Sequence, residues 1–109
     1  MVDRDPFDQI TPSLMREAAD LLGITPEITP QDYLLRDMCG PGYAIASAEG
    51  NTAVSLMAEQ EGIFLDPVYT GKAFAGLMEM AREGIFGEQD NVLFLHSGGA
   101  GGLFAIRME

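Results

Sequence analysis

Tyr69 and Thr70 stand side by side in the run Asp66-Pro67-Val68-Tyr69-Thr70-Gly71-Lys72-Ala73, which brings a phenol, a hydroxyl, a carboxylate and an ammonium into one short turn. A phenol can shuttle a proton if its pKa of about 10 is lowered locally. A second group, Ser97-Gly98-Gly99-Ala100-Gly101-Gly102, follows the apolar run Val92-Leu93-Phe94-Leu95-His96. Exposed amides of such a loop at a helix N-terminus form a cradle for anions. A third, Gly40-Pro41-Gly42-Tyr43, cannot be regular structure and is a loop carrying one aromatic. With one Cys and one His there is no set of side chains for a transition-metal cluster.

The neighbouring residues say what must position these groups. Gly62-Ile63-Phe64-Leu65 is apolar without alternation, as in a strand buried on both faces, and the residues from Ala73 to Glu83 have helical period. That helix sets Phe74, Leu77, Met78 and Ala81 on one face, and Gly84 closes it. Val92 to His96 repeats the strand-then-loop move. Ser47 caps a helix from Ala48 to Glu61, with Val54, Met57 and Ala58 inward and Gly62 ending it. Nearer the start, Thr11 as cap, Pro12 at the first helical position and Gly23 as stop define a first helix, with Leu14, Ala18, Leu21 and Leu22 on one face. The prolines between Ile24 and Pro30 hold that connection extended, and 32–37 reads as a short strand. Strands alternating with helices predict an α/β domain, a small and mostly parallel sheet with flanking helices. In such sheets ligands bind at the carboxyl ends of the strands, where the Tyr69-Thr70 and Ser97-Gly98-Gly99 loops fall.

Length and charge bound the rest. The 109 residues fit one domain over 1–109. A formal net charge of −11 argues against nucleic acid or an anionic membrane as a partner. Cys39 has no internal partner, which suits a reducing cytoplasm, and the acidic N-terminus has no signal-peptide core. No apolar stretch approaches the roughly 20 residues of a membrane span. A sheet of about three strands leaves edges and apolar surface uncovered, so association with copies of itself or with a complementing N-terminal chain is expected.

The segments Glu61 to Ala73 and Val92 to Gly99, with Gly40-Pro41-Gly42-Tyr43-Ala44 upstream, resemble the C-terminal portion of the D-cysteine desulfhydrase and aminocyclopropane-carboxylate deaminase family. These are pyridoxal-phosphate enzymes of the tryptophan-synthase-β-like fold, fold type II. The resemblance implies part of their large, cofactor-binding domain. It implies Tyr69 as the active-site tyrosine near the substrate α-carbon and Tyr43 as an aromatic lining the substrate side. Thr70 matches the position facing the pyridine nitrogen, where the deaminases carry glutamate; Ser97, Gly98 and Gly99 match the loop at the pyridine edge. A neutral hydroxyl at 70 implies a weaker electron sink, suited to β-elimination and the desulfhydrase-like branch. The family's Schiff-base lysine and main phosphate loop lie upstream of the matched region, and Lys72 aligns elsewhere. The resemblance implies pyridoxal phosphate as the cofactor, not covalently bound by this chain, and a chain inactive alone as a lyase or deaminase.

Each of these assignments has a plainer counterpart. Thr70 can simply cap the helix that follows, and Tyr69 and Tyr43 can be half-buried aromatics. Lys72 reads as a solvent-facing charge, His96 as structural, Asp66 as ordering its turn, and Met57, Met78 and Met80 as core. The competing function is a free-standing, non-catalytic α/β protein that oligomerises or binds small anions.

Overall fold

The computed structural model describes residues 6–105, and they divide into two compact units at the Arg36–Asp37 boundary. The first unit contains helix α1 (Phe7–Leu22). It starts earlier than the Thr11-Pro12 signal predicts, so Pro12 lies inside the helix. Proline there removes the amide that would bond the carbonyl of Asp8. The Tyr33 hydroxyl reaches that carbonyl instead, in a long contact of 3.5 Å. Gly23 ends the helix as expected, in a left-handed conformation (φ 67°), and Ile24 donates back to the Ala19 carbonyl at 3.0 Å. The predicted apolar face is not buried: Leu21 is 91% and Leu22 74% exposed, and Ala19 is the buried residue. Thr29 and Asp32 close a tight turn in which the Asp32 carboxylate accepts from the Thr29 amide and hydroxyl. These bonds lower the Asp32 pKa.

The second unit is built on two helices, α2 (Ala48–Glu61) and α3 (Thr70–Arg82), followed by a short 3₁₀ turn, Ala100–Phe104. The Ser47 hydroxyl accepts from the Gly50 amide at 3.1 Å, and Gly62 ends α2 in a left-handed conformation, both as the sequence predicts. The helices pack through small residues. Ala53, Val54 and Ala75 are buried, as are Gly50, Gly71 and Gly76. A Cβ on Gly71 would stand 2.7 Å from both the Asp66 carbonyl oxygen and Val54 Cγ2, so glycine sets the closeness of this contact. Phe74, Leu77 and Met78 are consequently only half-buried, and Ala81 is exposed.

No strand occurs among the described residues, which corrects the expectation of strands at 32–37, 63–65 and 92–96. A strand exists only through a hydrogen-bonded neighbour, and these runs find none along their backbones. The His96 ring makes one link between two of them, its Nε2 lying 2.9 Å from the Phe64 carbonyl oxygen. Leu65 is fully buried, whereas Ile63 (44%), Phe64 (58%), Leu93 (91%) and Leu95 (79%) remain exposed. No described helix is long and apolar enough to cross a membrane.

Candidate active-site wall

Asp66 is the hub of the site. Its side chain is almost inaccessible, and its carboxylate accepts four hydrogen bonds at the start of α3. One oxygen takes the Val68 and Tyr69 amides at 2.8 and 2.9 Å; the other takes the Thr70 amide at 2.9 Å and the Thr70 hydroxyl at 2.7 Å. The sequence supplies the ingredients: a carboxylate just ahead of the helix satisfies amides that have no intrahelical partner, and Pro67 has no amide to satisfy. Burial pushes this carboxyl up, but the bonds from Thr70, Tyr69 and Val68 pull further the other way, so it ionises below the usual carboxylate range.

Thr70 is 2% exposed. Its hydroxyl donates to the Asp66 carboxylate and accepts the Asp66 amide at 2.9 Å, so its donor is engaged inside the turn. Tyr69, one residue earlier, points outward at 56% exposure and meets Tyr43, itself 60% exposed. The Tyr69 hydroxyl donates to the Tyr43 hydroxyl at 2.9 Å, with the rings tilted at 60° and their centroids 6.1 Å apart. The hydrogen bond to Tyr43, reinforced by desolvation and by the Tyr43 and Asp66 charges, raises the Tyr69 pKa above its ordinary value. The condition under which a phenol would give up its proton easily is therefore not met, and Tyr69 keeps its proton at neutral pH.

The loop that delivers Tyr43 is contorted. Gly40 and Gly42 have φ of 65° and 151°, and Ala44, next to Tyr43, has φ 57°, a conformation that side-chain-bearing residues adopt at a cost. Lys72 holds this loop from behind. The residue is 6% exposed, and its ammonium donates to the Cys39 carbonyl at 2.7 Å and the Gly42 carbonyl at 3.0 Å. It is not the solvent-facing charge that its place in the first turn of a helix predicts, because the 39–43 loop folds over it.

The glycine loop lies against the same hub. Gly99 (φ 87°) sits so close to Asp66 that a Cβ there would fall 2.6 Å from the carboxylate, and Gly98 has φ 109°. His96 fixes the entry to the loop. Its Nε2 lies against the Phe64 carbonyl oxygen and its Nδ1 accepts the Gly98 amide at 3.2 Å. Phe94 stacks edge-on against Phe74 of α3, with centroids 5.2 Å apart. Ser97 is exposed, and Ala100-Gly101-Gly102 form the start of the 3₁₀ turn. The two loops are therefore neighbours, joined through Asp66, while Tyr43 and Tyr69 form a separate exposed pair on the same α3 N-terminus. Sequence reasoning missed Lys72, although its being the one lysine in an acidic chain was a signal.

Comparison with known proteins gives this arrangement a context. A provisionally named 1-aminocyclopropane-1-carboxylate deaminase of Pyrococcus horikoshii is 44% identical over 92 residues, 84% of this chain and 27% of its own length. A D-cysteine desulfhydrase of Salmonella paratyphi C is 43% identical over 93 residues, 85% of this chain and 28% of its own. The crystal structure of an ACC deaminase homologue superimposes with a TM-score of 0.74 at 39% identity, over 91% of this chain and 29% of that one. The chain thus spans little more than a quarter of the relatives it matches, and its likeness to that solved structure supports the α/β class. The family model described as pyridoxal-phosphate dependent enzyme matches residues 3–98, and this chain belongs to that family.

Proposed function

We propose that the chain forms one wall of the active site of a pyridoxal-phosphate-dependent lyase or deaminase of the D-cysteine desulfhydrase kind, completed by polypeptide that carries the covalent anchor and the phosphate loop. The residues present suit the ring side of the cofactor. Gly98 and Gly99 adopt backbone conformations that leave no room for a side chain at 99, and Ser97 beside them is exposed. They do not suit covalent attachment, because the single lysine is buried and bound to two carbonyls. When bound, the cofactor supplies an electron sink for the substrate α-carbon.

The observation that carries the reading is the exposed Tyr43–Tyr69 pair, two hydroxyls 2.9 Å apart at the start of the helix whose Asp66 cap also meets the glycine loop. Tyr69 holds a proton on its phenol oxygen at neutral pH, and Tyr43 orients that oxygen while lining the substrate side. Ser97, Gly98 and Gly99 address the ring edge. Thr70, its hydroxyl committed to Asp66, holds the turn in shape and places no charged group at its position. The reading is tested by mixing this chain with the part of D-cysteine desulfhydrase that it does not match, adding pyridoxal phosphate and following sulfide release from D-cysteine. Turnover is expected only when both polypeptides are present, falling by about 10²-fold or more with Tyr69→Phe. Mixtures that associate and bind cofactor yet ignore Tyr69→Phe would remove the role given to Tyr69, and failure to associate at all would remove the proposal.

A second reading, self-association without catalysis, draws on the exposed apolar residues of the 63–65 and 92–95 runs.

A further inference from the structure

We propose that Lys72 is a positioning residue for the tyrosine pair: its ammonium, anchored in α3 and bonded to the Cys39 and Gly42 carbonyls, holds the 39–43 loop so that Tyr43 meets Tyr69. The functional meaning of this rests on the reading of the pair given above, but the structural claim stands without any cofactor.

The local energetics explain why a lysine is needed. A cation in the first turn of a helix opposes the positive end of the helix dipole, and a buried ammonium is costly unless hydrogen-bonded. Neither rule favours Lys72 where it lies. What offsets both is a pair of carbonyl oxygens at 2.7 and 3.0 Å, supplied by a segment about thirty residues earlier in the chain. Those carbonyls point at Lys72 because Gly40 and Gly42 take positive φ, and Tyr43 follows directly, with Ala44 held at φ 57°. The stem of the side chain lies along Gly50 of α2, where a Cβ would come within 3.3 Å of Lys72 Cγ. Lys72 is therefore a strut with its foot between the two helices and its head under the loop. Tyr69 and Lys72 are three residues apart, so one helix start carries both the tyrosine and the clamp that brings its partner.

The test uses the whole chain in solution, without cofactor, so that a failure of the catalytic reading leaves it untouched. With tyrosine rings labelled for NMR, the wild type is expected to show cross-relaxation between the rings of Tyr43 and Tyr69. In Lys72→Met that signal should vanish and Tyr43 should move to unstructured shifts, while the amides of α2 and α3 keep theirs. Retention of the ring contact in Lys72→Met would overturn the proposal. If that variant does not fold, the wild type decides through acetylation of its one lysine by acetic anhydride, followed by mass spectrometry. A rate at least about tenfold below that in urea is expected of an ammonium held as described. A rate equal to that in urea would mean that Lys72 is not held and would overturn the proposal.

Discussion

Replacing Asp66 by Asn tests the hub directly, because the change keeps the shape and removes the charge and one acceptor. An amide nitrogen must then face either Val68 and Tyr69 or the Thr70 side. Facing Val68 and Tyr69 sets it against two amide donors. Facing Thr70 is better, since the hydroxyl can turn, but it still loses the bond from the Thr70 amide. One hydrogen bond to a charged group contributes about 1.5–3 kcal/mol, and a carboxylate at a helix start adds about 0.3–1 kcal/mol. The expected loss is therefore about 2–4 kcal/mol at neutral pH. With a urea slope of about 1–3 kcal/mol per molar, the midpoint of helix loss by circular dichroism should fall by roughly 0.7–4 M. The pH dependence adds a second criterion. Because the folded carboxyl ionises below its usual value, its stabilisation is complete above the unfolded pKa of about 3.9 and is lost as pH falls through the folded one. Asn cannot titrate, so the gap between wild type and variant should close with acidification below about pH 4. A gap under about 1 kcal/mol at pH 7, or one unchanged in acid, would show that Asp66 does not hold the turn through its charge.

Two further outcomes follow from the packing. Gly71→Ala should destabilise the chain by about 1–3 kcal/mol despite alanine's better helix propensity, because a Cβ 2.7 Å from the Asp66 carbonyl oxygen meets backbone that cannot yield; an unchanged urea midpoint would contradict the close approach of α2 and α3. The chain by itself should self-associate at micromolar concentration through the runs that expose Phe64, Leu93 and Leu95, and light scattering that gives a strict monomer, with no binding of a hydrophobic dye, would count against it.

The helix ends were legible in the sequence, because caps act locally: Ser47, Gly62 and Gly23 sit where their chemistry requires. Pro12 misled, since a proline is tolerated inside a helix when another donor lies near the carbonyl it abandons. The apolar runs at 63–65 and 92–96 read as strands because they have the composition of strands buried on both faces, yet pairing depends on neighbours that a local pattern does not contain. The helix face was misjudged for a different reason. Phe74, Leu77 and Met78 dominate any count of hydrophobicity, but glycines decide which faces come closest. At the candidate site, the adjacency of the Tyr69 turn and the glycine loop was foreseeable from their places after two similar runs. The burial of Lys72 was not, since it depends on a loop thirty residues away folding over it.

The capping of α3 by Asp66 reaches beyond the stability of the turn. An uncapped helix start offers a partial positive charge to passing anions, and here that charge is already neutralised from within by a carboxylate in contact with three amides. The chain as a whole carries a formal net charge of −11. Its long-range field therefore repels a phosphate-bearing ligand, and salt, by screening that field, eases the approach. On the reading proposed above, a polypeptide that completes this wall would bring more than missing residues: it would also offset the negative field that a phosphate-bearing ligand meets on arrival.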